Sequence, residues 1–355
     1  VLLSAHLGLA LAHPLTYLWT LGGALASSGP AGLRGRLWQF IYFVEAVVLW
    51  NECRRRGIRH LHVHFANVSA DVAMLVTAIG NQAESSQRWS WSFTMHGPTE
   101  FFDVHRFRLA SKVRAAEFVV CISDYARSQL MALGGHKVWE KLHIVHVGIP
   151  IDQFTRMGPK VSGAQAPVVL CVGRLVADKG QALLIEALSE LHERDAKIAA
   201  HLVLAGDGPE RSMLESLARD LGIAEHVSFL GSVGQDRTRG LYEAADIFCL
   251  PSFAEGVPVV LMEAMALEVP VITTAITGVP ELVEDRVSGV LVRPGSVSAL
   301  TDAIDRLIRD AELGRALAEA GRQKVLDAFD VECSARELRQ LFARELGSGK
   351  RKPVR

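Results

Sequence analysis

Cysteine is scarce in this sequence and nowhere spaced for chemistry. Five thiols, Cys53, Cys121, Cys171, Cys249 and Cys333, are scattered through 355 residues without a CxxC pair. Several lie inside apolar runs such as VVCIS and FCLPS. A zinc ribbon or a disulfide framework is thereby excluded, and buried free thiols in a reducing compartment are expected. Net charge is equally small. Lys and Arg number 38 against 39 Asp and Glu, net −1, so bulk electrostatics implies no nucleic-acid partner. No GxGxxG is present. The nearest stretch, GDGP at Gly206–Pro209, has no acidic residue at the ribose spacing. It reads as a tight turn feeding a helix, not as a nicotinamide site. Low-complexity segments and short repeats are also missing.

The start of the chain lacks charge altogether. No residue ahead of Arg34 is charged, and VLLSAHLGLALAHPLTYLWTLGGALASSG is apolar enough to suggest a membrane span. Two histidines, Pro14 and the Gly22–Gly23 pair interrupt it, and it has no basic leader of the kind a signal peptide carries. Arg34, Arg36, Trp38 and Phe40 then precede IYFVEAVVLW, and a basic cluster of Arg54, Arg55, Arg56 and Arg59 follows. That pattern suits a peripheral helix on an anionic bilayer. A partly buried helix ending in solvated arginines fits it as well. The first residue is Val, not Met, and a processed or truncated chain is expected.

What is present is a long alternation of strands and helices. A chain of 355 residues exceeds the size at which one core keeps growing, so two domains are expected. With 49% hydrophobic and 22% charged residues, the composition is that of a globular protein. Up to Thr155 there are 14 Lys+Arg against 10 Asp+Glu, net +4, and beyond it 24 against 29, net −5. LHVHFA, WSFTM, FVVCIS and LHIVHVG read as strands of a first lobe. PVVLCVG, HLVLAGDG, VSFLG, DIFCLP, PVITT and GVLV read as those of a second, with helical runs between them. Buried strands joined by crossover helices imply an α/β fold with parallel sheets covered on both faces. The expected organisation is two doubly wound lobes facing across a cleft, residues 1–155 and 167–330, with a Gly, Pro, Ser and Gln-rich linker from Asp152 to Ala166. A C-terminal helix over 331–347 could pack back on the first lobe, and 348–355 reads as a disordered basic tail.

Ligands of such sheets bind where strands end and helices begin. GRLVADKG, Gly173 to Gly180, puts Arg174 and Lys179 at one such junction. Two cations there fit a diphosphate, although a surface loop with two solvated cations is the plainer alternative. FLGSV, Phe229 to Val233, offers a backbone edge for a flat base, or a simple turn. SFAEGVPVVLMEAMA sets Glu255 and Glu263 on either side of a helix start near Val257 or Pro258. Such a start points free N–H groups and a partial positive charge at a ligand. At ~1.5 Å rise per residue, one molecule could touch both carboxylates. Complementing the helix dipole would account for Glu255 alone, but Glu263 stands in an apolar run, where a carboxylate without a partner is costly. In the first lobe His96 follows the strand WSFTM and precedes Gly97. His62 and His64 share a strand face, yet no carboxylate or cysteine lies at ligand spacing, so no metal is expected.

GRLVADKG, AEGVPVVLMEAMA and TGVPELV, in that order, resemble the retaining glycosyltransferases of family 4, which have the GT-B fold and are marked by two glutamates with seven residues between them. HVHFANVSADVAMLV, SFTMHGPTEFF, FVVCISDYARSQLM and KLHIVHVGI resemble the branch that builds exopolysaccharides and colanic-acid-like polymers. The resemblance implies a nucleotide-diphosphate sugar as donor and a saccharide or lipid-linked saccharide as acceptor, on the cytoplasmic side, with no cofactor or metal. In it Gly173, Arg174 and Lys179 would hold the diphosphate and Val233 the base. Gly256, Val257, Pro258 and Val259 would meet phosphates and sugar, Glu263 the ribose and Glu255 the donor sugar. His96 would lie beside the reacting carbon. Two departures stand out. Glu268 occupies a position where the family usually has glycine, and no counterpart of the family's opening strands and Gly-rich loop precedes Leu61. The resemblance thus implies an N-terminal lobe of about four strands, lacking its first segment, with activity in doubt. An epimerase of the same fold, or a non-catalytic sugar-nucleotide-binding protein, is the alternative.

Overall fold

The computed structural model describes residues 2–27, 32–155 and 166–347. The basic tail and most of the expected linker lie outside them. The chain divides into two compact units, His146–Gln340 and the residues before it together with those from Leu341 onward. The division falls ahead of Thr155 because Ile149 is tied by its backbone to the second unit. Its N–H donates to Phe329 O at 2.9 Å, and its carbonyl accepts from Val331 N at 3.1 Å.

The first unit opens with α1 (Leu2–Ala12), α2 (Pro14–Ala26) and α3 (Gly32–Arg55). Residues Phe43, Ala46, Val47, Trp50 and Cys53 recur at helical spacing and form the buried stripe of α3. They pack with Ala5 and Leu9 of α1 and with Val72, Val76 and Ile79 of α4 (Val68–Ala83). The partly buried helix is what the fold shows here. One face of α3 is buried, while Leu11, Leu15, Leu18, Trp19, Leu33, Leu37 and Trp38 are exposed. Among the described residues no helix is long and apolar enough to cross a membrane.

Four strands follow, β1 (His60–His64), β2 (Ser90–Met95), β3 (Val119–Cys121) and β4 (Leu142–Ile144), all parallel and in spatial order β1-β2-β3-β4. These are the four expected: β2 keeps its expected end at Met95 and begins one residue earlier, while β1, β3 and β4 stop short of the expected ends. Alternation along β1 sends Leu61 and Val63 toward the core around Phe93 and Met95 and His60, His62 and His64 to the other face. On that face the last helix, Val331–Gly347, brings Phe342 edge-on to Phe118 and His62, at 5.3 and 5.0 Å between ring centres.

The second unit is a six-stranded parallel sheet of β5 (Val168–Val172), β6 (His201–Ala205), β7 (Val227–Gly231), β8 (Ile247–Leu250), β9 (Val271–Thr274) and β10 (Val290–Val292). The order is β10-β9-β8-β5-β6-β7. All four residues of β8 and of β9 are buried, as expected for strands covered on both faces. The chain winds outward from β5 to β7, then returns to the other side of β5 with β8. The β5/β8 boundary is therefore a topological switch point. Cys53, Cys121, Cys171 and Cys249 are buried free thiols, and burial pushes Cys121 and Cys171 up to about 12.

Candidate functional site

Three loops meet at the carboxyl ends of β5, β8 and β9. After β5 the chain turns through Ala177–Lys179 to Gly180, whose φ of +66° opens the helix Gln181–Arg194. Glycine suits this position because left-handed backbone carries no Cβ penalty there. It is also required by space, since a side-chain carbon on Gly180 would collide with the Pro251 carbonyl of the loop after β8. The two loops are joined again by Phe253 N–H donating to Asp178 O at 2.8 Å.

This contact brings Lys179 and Glu255 together. The Lys179 ammonium lies 2.5 Å from Glu255 Oε1, the same oxygen that accepts from Ser252 Oγ at 2.7 Å. The Lys179 stem passes over Gly173. Thr277, in the loop after β9, donates its hydroxyl to Glu255 O, and Thr274 donates to Ser252 O, each at 2.5 Å. Glu255 is 9% exposed, so this is a largely desolvated pair, and the Ser252 hydroxyl adds a hydrogen bond to the paired oxygen, which helps such a pair to be tolerated. The Arg174 side chain is exposed and makes no ion pair among the described residues. Its carbonyl accepts from Gln181 Nε2 at 2.9 Å.

The helix expected near Val257 or Pro258 spans Val259–Ala266, and Pro258 takes the N-cap with extended ψ of 121° instead of a first-turn position. No side chain caps this end. Leu261 and Met262 are the first amides to find an acceptor, at Pro258 O, which leaves the Val259 and Val260 N–H groups pointing out of the helix start. Glu263, one turn inside, is 9% exposed and accepts from the Tyr242 hydroxyl at 2.8 Å. Burial raises its carboxyl above the usual range, and the Tyr242 hydrogen bond counters part of that rise. Tyr242 itself, fully buried on the helix Gln235–Ala244, carried no signal in the sequence.

Further along the edge, the loop after β6 packs on the loop after β5. Gly206 (φ +149°) leaves no room for a side chain against the Gly173 carbonyl, nor does Gly208 against that of Leu175. Gly206 N–H donates to Gly231 O at 2.9 Å, which ties in the end of β7 and the loop carrying Val233. The loops after β8, β5, β6 and β7 thus form one row, with Glu255, Lys179, Gly173 and Val233 along it and Glu263 beneath the helix start.

His96 belongs to the first unit, directly after β2. Its Nε2 is 2.6 Å from His64 Nδ1, and the Phe65 ring centre is 4.8 Å from its own. Burial, and then His64, push His96 down to about 4. His62 is no metal pair with His64, because its two ring nitrogens are bonded to Ser92 Oγ and Thr94 Oγ1. Two residues after β1, the Ala66 amide donates to Glu100 Oε1 at 3.2 Å, and Lys112 Nζ donates to the carbonyls of Ala66 and Asn67 at 2.7 and 2.9 Å. Lys112 is fully buried and pairs with Asp71 at 3.1 Å. Burial lowers its ammonium and raises the Glu100 carboxyl. The sequence reading passed over this cluster, since nothing in the spacing of residues 66, 71, 100 and 112 marks them as neighbours.

Two Rossmann-like parallel-sheet units, the second with its polar residues gathered at a switch point, define a protein of the GT-B fold. The chain belongs to the group 1 glycosyltransferases. The model of that family, glycosyl transferases group 1, matches residues 155–324. The lipopolysaccharide core biosynthesis glycosyltransferase LpsE of Rhizobium meliloti is 36% identical over 300 residues, 79% of this chain and 83% of that one. A GDP-mannose-dependent alpha-(1-6)-phosphatidylinositol monomannoside mannosyltransferase of Mycolicibacterium smegmatis is 33% identical over 242 residues, 64% of this chain. The match spans 62% of that relative's length. Among solved structures, Anabaena Alr3699/HepE in complex with UDP-glucose superposes with a TM-score of 0.70 at 22% identity, covering 84% of this chain and 82% of the other.

Proposed function

We propose that the chain is a retaining glycosyltransferase of family 4, in the exopolysaccharide and colanic-acid-type branch, which moves a sugar from a nucleotide-diphosphate donor to a saccharide or lipid-linked acceptor. The observation that carries this reading is the Lys179–Glu255 pair at the β5/β8 switch point, beside an uncapped helix start. Cleaving the bond from anomeric carbon to phosphate oxygen develops negative charge on the leaving diphosphate. Lys179 and the Val259 and Val260 amides are preorganised donors for that charge, the kind of stabilisation that dominates many enzymes, and exposed Arg174 supplies a second cation. Glu255 and Glu263 then accept from hydroxyls of the donor sugar and of the ribose, and the loop of Val233 receives the base. Gly173, Gly256, Val257 and Pro258 bring backbone close to the phosphates. His96, by the family resemblance, is the residue beside the reacting carbon. Cations of the chain itself take the role a divalent metal plays elsewhere, so turnover should survive chelation. LpsE and HepE, by their names and contents, support a surface-polysaccharide role and a nucleotide-sugar donor.

The acceptor's lipid anchor would bring the protein to the inner face of the membrane. Exposed Leu11, Leu15, Leu18, Trp19, Leu33, Leu37 and Trp38, with exposed Arg34 and Arg36, form an apolar and basic surface suited to anionic lipid. Flotation with vesicles containing phosphatidylglycerol, but not with neutral ones, tests that contact. The activity is tested by titrating UDP- and GDP-sugars and measuring released nucleotide with and without saccharide acceptor. Lys179→Ala and Glu255→Ala should each lower turnover by roughly 100-fold or more. Nucleotide release at the wild-type rate in both would refute the site.

A further inference from the structure

Along β1, histidines alternate with apolar residues, and each of the first two bridges a pair of β2 side chains. His60 lies opposite Ser90, His62 opposite Ser92 and His64 opposite Thr94. His60 Nδ1 and Nε2 bond Ser90 Oγ and Ser92 Oγ, each at 2.8 Å. His62 bonds Ser92 Oγ and Thr94 Oγ1 at 2.7 and 2.8 Å. One step further, the pattern would set His64 Nδ1 on Thr94 and Nε2 on residue 96. Instead, His64 Nδ1 itself reaches His96 Nε2, at 2.6 Å.

We propose that His64 is a positioning residue for His96, fixing the orientation and tautomer of its ring through this imidazole–imidazole hydrogen bond. The inference rests on the reading of His96 as the residue beside the reacting carbon. Two neutral imidazoles joined in this way share one proton, so the tautomer of one dictates that of the other. When His96 Nε2–H donates and His64 Nδ1 accepts, both rings hold the Nε2–H form that a free imidazole prefers. His96 Nδ1 is then a bare lone pair, able to accept from a sugar hydroxyl. The displacement of His96 from the ordinary range to about 4 keeps this neutral form in place at physiological pH.

The surrounding loop is built to hold that geometry. Phe65 packs on the His96 ring and has a φ of +68°, a conformation that a bulky residue adopts only when its surroundings impose it. What imposes it is the clamp on the next two residues: Glu100 takes the Ala66 amide, and buried Lys112 takes the Ala66 and Asn67 carbonyls. Ser69 Oγ donates to the His64 carbonyl at 3.0 Å. His64 therefore stands on backbone fixed from both sides, as a supporting ligand to a reactive histidine must.

The test uses the full chain and two readouts. The first is release of nucleotide to water from whichever UDP- or GDP-sugar the wild type hydrolyses. The second is the pair of ring ¹⁵N shifts of His96 in ¹⁵N-histidine-labelled protein, assigned with His96→Gln. His64→Leu should lower kcat about 10- to 100-fold with donor KM little changed, and His96 should lose its single-tautomer ¹⁵N pattern. His64→Asn, whose side chain can place a hydrogen-bonding atom where Nδ1 stood, should restore kcat to within about threefold of wild type. Wild-type kcat and unchanged His96 shifts in His64→Leu, alongside an inactive His96→Ala, would overturn the proposal. If the wild type releases no nucleotide from any donor, the functional reading fails instead, and the ¹⁵N shifts of His64→Leu still decide the pairing.

Discussion

The two sheets end in loops fixed by opposite means. In the second unit the loops after β5, β6 and β8 touch through glycines: Gly206 lies against the Gly173 carbonyl, Gly208 against that of Leu175, and Gly180 against that of Pro251. In the first unit the loop after β1 is held by buried ions, with Glu100 and Lys112 bonded to the peptide groups of residues 66 and 67. The difference matters for what each edge can present. Backbone packed on backbone leaves main-chain donors uncovered by side chains at this edge, with Lys179 and Glu255 paired beside them. A side-chain clamp can hold an exposed Phe65 in left-handed backbone beside His96, which glycine packing would not do.

The comparison can be broken from either side. Gly206→Ala should be the most damaging, because the new methyl meets a carbonyl oxygen in a backbone of φ +149°. A loss of roughly 3 kcal/mol or more is expected, measured by urea unfolding. A loss under about 1 kcal/mol would show that the loop after β6 shifts freely and that glycine is not what fixes it. Lys112→Met removes the donor of two carbonyls and one partner of Asp71, while Arg108 still pairs with Asp71 at 2.5 Å. About 2–4 kcal/mol should be lost. Unchanged stability would mean that the first edge does not depend on its ionic clamp. Acid acts on the first edge as well. His60, His62 and His96 all lie near 4 in the fold, chiefly through burial. Between pH 6.5 and about 4 the unfolded chain then binds more protons than the native one, so their contribution to stability is present above pH 6.5 and is lost as pH falls through that window. Glu100, raised by burial, works in the opposite sense and blunts the loss. His62→Asn should flatten the pH dependence of the urea midpoint, and an equally steep dependence in that variant would remove the histidine face as its source.

Much of the second unit was legible in the sequence. All six of its strands were marked by short apolar runs, and the junctions they end in hold Arg174, Lys179, Glu255 and Val233. The helix after β8 was placed one or two residues early, because Pro258 satisfies the φ of a first turn equally well as an N-cap. Glu268 was identified as an awkward residue, and it does adopt φ +56°. Arg322 lies 3.5 Å from its carboxylate and also bonds the Ala266 carbonyl, a local brace that no pattern announced. The first unit was read more thinly. Its strands were found, and His62 and His64 were read as sharing a face, but their partners emerged only when the register set His60, His62 and His64 against Ser90, Ser92 and Thr94.

By itself the sequence determined two parallel sheets and the order of their loops, since buried strands and crossover helices impose a periodicity that any chain segment displays locally. Only the tertiary structure decided which side chains meet. Lys179 and Glu255 are 76 residues apart, Tyr242 and Glu263 are 21, and His64 and His96 are 32. Such pairs form because strand register and loop packing superimpose distant stretches of chain, and that superposition is a property of the whole fold.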